Sequence, residues 1–229
     1  MEFNFTPIPA VFCKKLNRFV GEVVLQGEKV LVHIPNSGRL AEILTEGRLV
    51  YLREGKNPGR KYQYDLVLAQ MPESLVLVDS LLPNKIAQGL LEKGIIKPFS
   101  REIDQVAAEQ TKGQSRFDFK VQLRDKTGFI EVKSVTLVEG KYALFPDAPT
   151  PRGVRHLEEL RALSSQYLTA VVFLICREDA EVFKPNDKCD PYFASALKKA
   201  AMAGVYIKAY RLKLDLKGVY FDREMEVVL

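Results

Sequence analysis

Ser115-Arg116-Phe117-Asp118-Phe119-Lys120-Val121-Gln122-Leu123 and, a few residues on, Gly128-Phe129-Ile130-Glu131-Val132-Lys133-Ser134 are the two runs whose reading decides the fold. Successive side chains of a strand point to opposite faces, so each run divides in two. Phe119, Val121 and Leu123 share one face, and Ile130 and Val132 fall together on the neighbouring run. Asp118 and Lys120, with Glu131 and Lys133, take the other face. A loop over residues 124–127 would pair Leu123 with Gly128 and Val121 with Ile130, giving one continuous apolar face. The polar face then gathers Asp118, Glu131 and Lys133, with Asp118 opposite Lys133 and diagonal to Glu131. Diagonal residues lie roughly 7–8 Å apart at the backbone, near enough for two carboxylates to hold one cation. A slip of two residues would keep the faces and change only the offsets.

This trio has a chemical rationale. Mg²⁺ prefers oxygen and is usually held by one or two carboxylates while keeping several waters. Beside a phosphodiester such an ion polarises phosphoryl oxygens and activates water, and a nearby ammonium offsets developing charge. On this reading of the trio, Mg²⁺, or Mn²⁺ in its place, is the cofactor. The same register also makes Lys133–Asp118 and Lys120–Glu131 cross-strand ion pairs of an ordinary solvated face, and spacing alone favours that reading, since such faces far outnumber metal sites.

Outward from the hairpin, the second half alternates helix and strand. Residues 84–93 suit a helix closed by Gly94, followed by strand-like runs at 105–110, 116–123, 129–137 and 141–145. Thr150-Pro151 and Asp190-Pro191 each supply a cap and a proline at the first helical position, opening helices to about Ser164 and Gly204. Runs at 169–177, 205–212 and 218–229 complete a mixed α/β domain. On the first of these helices Arg152, His156 and Glu159 share a stripe, while Val154, Leu157 and Leu160 occupy another sector and anchor it.

The first half reads as short strands, at 19–25, 29–33, 48–52, 64–68 and 74–78, with Gln26-Gly27-Glu28 as a hairpin turn. Five strands with a short helical stretch after Gly38 suit an OB-type barrel, and an SH3-like barrel would give nearly the same pattern. Arg53, Lys56, Arg60 and Lys61 lie near Tyr62 and Tyr64, with Gly55, Pro58 and Gly59 between. Such a loop suits backbone tracking and stacking on a nucleic acid, and equally a solvated hairpin tip. His33-Ile34-Pro35-Asn36-Ser37-Gly38-Arg39 reads as a turn with an Asn or Ser cap that leaves Arg39 for phosphate.

A formal charge of +5 tilts the chain towards a polyanionic partner. Cys13, Cys176 and Cys189, with His33 and His156, make no soft-metal spacing, so reduced thiols in a cytoplasmic protein are expected. The first residues show no basic segment followed by an apolar one, which argues against a signal peptide, and no apolar run approaches a membrane span.

Several blocks occur in order: Ser115-Arg116-Phe117-Asp118, Glu131-Val132-Lys133-Ser134-Val135-Thr136-Leu137, Phe145-Pro146-Asp147-Ala148-Pro149-Thr150 and Arg152-Gly153-Val154-Arg155-His156-Leu157-Glu158-Glu159-Leu160. With the block at 33–39, Arg60-Lys61 and Leu82-Pro83-Asn84, they make the chain resemble the sugar fermentation stimulation protein A family over nearly its whole length. The resemblance implies an OB-like domain over residues 1–82 and a P-D-(D/E)-x-K nuclease-type domain over 83–229. It implies Asp118 as the aspartate and Glu131 with Lys133 as the E-x-K. Phe117 replaces the proline of the pattern, which is not a metal ligand. Glu109 lies where the family tends to place an acid, a possible further ligand, with Glu92 as a rival on the preceding helix. Largely non-sequence-specific DNA is the expected partner, met by Arg39, Arg60, Lys61, Arg116, Arg152 and His156. Asp147 is left open as a turn residue or a further site acid. The expected function is a metal-dependent nuclease, and the alternative is a non-catalytic DNA-binding regulator of sugar-utilisation genes.

Overall fold

The computed structural model describes residues 1–57, 59–112 and 115–229. Its first half contains β1 (Ile8–Asn17), β2 (Val20–Leu25), β3 (Glu28–His33), β4 (Leu49–Glu54), β5 (Tyr64–Gln70) and β6 (Leu75–Leu77). These pair in the order β3-β2-β1-β4-β5-β6, and a parallel bridge from His33 to Asp65 returns β3 to β5. Five strands thus close in the OB arrangement, with β6 appended. Phe12, Val23, Val32, Ile34, Leu52 and Leu66 fill the interior. Gln26 and Gly27 both take positive φ, 52° and 90°, in a two-residue turn whose twist suits the flanking strands. The sequence reading finds β2 to β6 and misses β1. There Lys14, Lys15 and Asn17 interrupt the apolar alternation, and the register shifts between Phe12 and Lys14. The helical stretch after Gly38 is one turn, from Leu40 O to Leu44 N.

The second half comprises α1 (Leu82–Glu92), β7 (Gln105–Lys112), β8 (Ser115–Leu123), β9 (Lys126–Val135), β10 (Leu137–Glu139), β11 (Tyr142–Phe145), α2 (Pro151–Leu163), β12 (Leu168–Ile175), β13 (Val182–Pro185), α3 (Pro191–Met202), β14 (Tyr206–Leu214) and β15 (Val219–Val227). Among the described residues its nine strands run β10-β11-β13-β15-β14-β12-β9-β8-β7. β12 lies parallel to both β9 and β14, which is why its sequence is an unbroken apolar run. Thr150 accepts from Gly153 N and Asp190 from Phe193 N, so both expected caps form. The four-residue β13 is too short and too near proline to show as a period.

The large sheet separates two cores. One face carries Phe119, Val121, Ile130 and Val132 against Ile86 and Leu90 of α1 and against Val67 and Leu77 of the barrel. The other carries Phe129, Val171 and Phe173 against Leu157 and Leu160 of α2 and Phe193 of α3. Each such side chain contributes about 1.5–3 kcal/mol on leaving water. Hydrogen bonds also join the halves: Leu77 N donates to Cys176 O at 3.0 Å, and Arg39 N to Asp147 Oδ2 at 2.8 Å. The second needs glycine at 38, because a Cβ there would lie 2.5 Å from Asp147 Oδ2. No helix among the described residues is long and apolar enough to cross a membrane.

Candidate metal centre

The β8–β9 hairpin turns more tightly than expected. Leu123 pairs with Lys126, Val121 with Gly128 and Phe119 with Ile130, so two residues, not four, form the turn. Arg124 adopts φ 45° there, and its N–H is held by Asp104 Oδ2 at 2.5 Å, which makes the short turn available. The register shifts by two and the apolar face survives. Asp118 therefore lies level with Glu131 rather than with Lys133.

A second difference falls at Asp118 itself. Phe117 packs in the α2-side core and Phe119 in the α1-side core, although residues two apart on a strand should share a face. The alternation breaks between them. β7 pairs Ala108 with Phe119 and Gln110 with Phe117 but skips the intervening position, where Glu109 takes φ 55°. Freed from the regular pleat, the Asp118 carboxylate turns towards β9 just where the β8–β9 ladder stops. Its Oδ2 accepts from Val132 N at 2.7 Å and its Oδ1 from Asn84 Nδ2 of α1 at 2.6 Å.

Glu131 comes from the α2-side face of β9 and is 3% exposed. Its Oε1 receives both Lys133 Nζ and His156 Nδ1, each at 2.5 Å. Arg152 Nε donates to His156 Nε2 at 3.4 Å. A nitrogen that accepts carries no proton, so the hydrogen-bond pattern assigns the His156 proton to Nδ1, which donates to Glu131. The other oxygen, Glu131 Oε2, is buried without a hydrogen-bond partner among the described residues. Burial pushes the Glu131 carboxyl up, but His156 and Lys133 together outweigh it and hold the group below its ordinary value. Asp118 is pushed up to about 6, first by burial and next by the negative charge of Glu131.

These residues fit a divalent cation. A buried carboxylate oxygen without a partner is costly, and two mutually repelling carboxylates are relieved by a cation. An all-oxygen donor pair suits Mg²⁺, Mn²⁺ or Ca²⁺ rather than a soft ion. Among the described residues no group of three or more His, Cys, Asp and Glu side chains is placed to hold a metal ion, so the protein would supply few ligands and leave the rest to water.

The other expected site residues distribute differently. Glu109 is exposed on β7, and its carboxylate is taken by Arg116. His156, expected at a phosphate, is 3% exposed and engaged with Glu131; α2 turns it inwards beside Leu157. Arg152 is exposed over it, and Arg39 is exposed at the junction of the halves. Arg60, expected at phosphate, bonds Asp65 through both terminal nitrogens, at 3.1 and 2.5 Å, alongside Arg53 and His33. Lys61 is exposed, with its ammonium 5.5 Å from the centre of the Tyr62 ring. Pro58 of the same loop lies outside the described residues. Glu92 is a helix-surface residue bonded by Gln88 at 2.8 Å. Asp147 proves to be the acceptor for Arg39 N. Asn84 is the residue that the sequence reading missed. Its block was noted, but a helix-start Asn carries no sign of an aspartate 34 positions away.

Comparison with known proteins agrees with this architecture. A family model described as the SfsA N-terminal OB domain matches residues 13–78, and one described as the sugar fermentation stimulation protein RE domain matches residues 81–218. A sugar fermentation stimulation protein homolog of Clostridium perfringens is 42% identical over 231 residues, covering 100% of both chains. One from Desulforamulus reducens is 44% identical, covering 97% of this chain and 92% of its own. Among solved structures, Pyrococcus furiosus SfsA in complex with Ca²⁺ superposes with a TM-score of 0.90 at 32% identity, covering 100% of this chain and 98% of that one. The chain belongs to the sugar fermentation stimulation protein family.

Proposed function

We propose that the chain is a DNA-binding protein with a divalent-metal nuclease site of the P-D-(D/E)-x-K type, in which Asp118 and Glu131 hold Mg²⁺ or Mn²⁺. The observation that carries this reading is the partnerless Oε2 of buried Glu131 beside an Asp118 whose carboxyl is pushed up to about 6. Support comes also from the Pyrococcus relative, solved in complex with Ca²⁺. When bound, the ion would polarise a phosphodiester and activate water. Val132 N and Asn84 aim Asp118, while His156 and Lys133 fix Glu131 by one oxygen and leave the other unbonded. Lys133 keeps an ammonium at the place where negative charge would develop. Arg152 is exposed on the helix that carries His156, where its terminal nitrogens could meet a phosphate. DNA contact is expected to be backbone-dominated, with affinity falling steeply as salt rises.

One observation favours the second reading, a non-catalytic DNA-binding regulator. Lys133 is bound to Glu131, a posture that neutralises the carboxylate rather than orienting a nucleophile. The deciding experiment has two parts. Mg²⁺, Mn²⁺ and Ca²⁺ should each raise the melting temperature of the wild type and not of Asp118→Asn. Labelled single- and double-stranded DNA and RNA, incubated with Mg²⁺ or Mn²⁺ and with chelator, then test turnover. Stabilisation without cleavage selects the regulator, and no stabilisation by any ion defeats the metal site itself.

A further inference from the structure

A cavity of about 200 Å³ lies between the barrel and the second half, and neither Asp118 nor Glu131 lines it. The 36–38 turn and Ser80 form its barrel side, the end of β9 its floor, and the run from Leu144 to Thr150 its far wall. Its walls are fixed by hydrogen bonds. Asn36 Nδ2 donates to Val78 O at 2.8 Å, and Asn36 Oδ1 accepts from Gly38 N at 2.8 Å. Ser80 Oγ donates to Pro35 O at 2.7 Å, and Asn186 Nδ2 to Pro146 O at 2.9 Å. Arg39 N closes the circuit on Asp147. The cavity is therefore preformed, as ligand sites usually are.

Its chemistry is unsuited to phosphate. Arg18 and Asp147 are the charged side chains that line it. Arg18 Nε is committed to Ser37 O at 3.1 Å, and the nearby Lys15 ammonium to Gly38 O and Arg39 O at 2.9 and 3.1 Å. Arg18 is exposed and Asp147 half-buried, so an anion seated inside would face the Asp147 carboxylate, with Arg18 the one lining cation. Leu137, Phe145 and Pro146 instead offer apolar walls, and the Ser37, Ser134 and Thr136 hydroxyls can donate or accept. The matching group is planar and uncharged, apolar on its faces, with a hydrogen-bonding edge that presents a donor to Asp147. The space is smaller than the roughly 300–1,000 Å³ of drug-sized ligand sites, so it suits one ring system and leaves any sugar-phosphate outside, beside Arg18 and Lys15.

We propose that this inter-domain cavity receives one unpaired base of the nucleic acid, with Asp147 accepting from its amino-bearing edge. The proposal rests on the nucleic-acid reading above. The cavity is tied to the carboxylate site through the chain: Ser134 follows Lys133, and Thr150 caps the helix that carries Arg152 and His156. An enzyme that seats a base in a pocket selects strands whose bases are already unpaired, since unstacking a paired base costs free energy. The site thus favours single-stranded or frayed substrates.

The test uses the full chain in chelator, with a mixed-base single strand and an abasic strand of the same length. Ala148→Phe fills the cavity from its rim, and Asp147→Asn keeps its shape and the acceptor for Arg39 N. Melting curves confirm that both variants fold. Wild type should bind the base-bearing strand about tenfold more tightly, the scale of one seated base. Ala148→Phe should remove that preference and leave abasic affinity and salt dependence unchanged, and Asp147→Asn should reduce the preference. Equal binding of both strands by the wild type overturns the proposal, as does equal weakening of both by Ala148→Phe. Stabilisation by a free hexose that Ala148→Phe abolishes, without any strand preference, assigns the cavity to a sugar instead. Failure to bind either strand at low salt defeats the nucleic-acid reading and the base site together, whereas binding without base preference defeats the base site alone.

Discussion

The imidazole Nδ1 of His156 lies 2.5 Å from Oε1 of Glu131, and each residue is 3% exposed. A histidine on a helix and a glutamate on a strand have thus been brought out of water together, with Arg152 behind the ring. On the metal reading proposed above, His156 is a positioning residue: it engages Oε1 and leaves Oε2 unbonded. His156→Ala should lower Mg²⁺ or Mn²⁺ affinity by about 10–100-fold, the usual effect of losing a partner of a metal-holding group. It should also cost about 1–3 kcal/mol of stability by leaving a buried charge short of a donor. Titration calorimetry and urea denaturation read the two effects, and metal affinity within a factor of two of wild type would show that Glu131 needs no such support.

Asp118 gives stability a definite pH dependence. Its folded value of about 6 lies above the ordinary 3.8, so the folded chain holds this proton more tightly than the unfolded one. The contribution is full below about pH 4 and is lost as pH rises through 6. In chelator, Asp118→Asn should therefore gain on the wild type from pH 4 to 8, by roughly 3 kcal/mol at most at about 1.4 kcal/mol per unit. The lost acceptor adds a constant offset, so the slope of the difference is the readout. A flat difference would mean that Asp118 is not held protonated by its surroundings.

Asp65 behaves in the opposite sense. Burial pushes its carboxyl up, but Arg60, His33 and Arg53 more than reverse this and hold it well below the usual range. Its stabilisation is present above about pH 4 and is lost as pH falls further. Asp65→Ala should destabilise the chain by about 2–3 kcal/mol at pH 7, below the cost at a fully buried pair because the arginines keep some water. The penalty should shrink in strong acid. Arg60→Ala should likewise act mainly on stability, with the salt dependence of DNA binding nearly unchanged. If instead Arg60→Ala flattens that salt dependence at full stability, the Asp65 pairing gives way to phosphate.

Gly38→Ala tests the junction. The added methyl would meet Asp147 Oδ2 at 2.5 Å and Asn36 Oδ1 at 3.0 Å, so the 36–39 turn must shift. The Arg39 N–Asp147 bond should break, at a cost of about 1–3 kcal/mol. Faster proteolysis between the halves should accompany it. A variant as stable and as protease-resistant as wild type would show that the turn accommodates the methyl without loss.

Much of this was legible in the residues, and the failures have physical causes. The barrel turn at Gln26-Gly27, the two cap-and-proline starts and the unbroken β12 run are local devices that act within a few residues, so reading them needs no tertiary context. The apolar face of the β8–β9 hairpin was equally legible, because a two-residue slip conserves faces. The turn length was not, since it depends on Asp104 reaching Arg124 from outside the hairpin. Period-two reading also assumes an unbroken pleat, and the chain breaks it at Asp118, whose carboxylate accepts from Val132 N. Charge alone did not show the partners. Arg60 and His156 read as phosphate contacts in a string of letters, and folding brings each beside a carboxylate.

The site is written entirely downstream of the barrel: Asn84, Asp118, Glu131 and His156 all follow β6 in the chain. During synthesis the barrel is therefore complete before the first of them emerges, and domains generally fold as units in that order. The Arg39 N–Asp147 bond spans 108 residues and cannot form until the run before α2 has been made. All of the barrel's strands are thus made while that latch is still open, and the acidic centre can be assembled only once residue 156 has followed them.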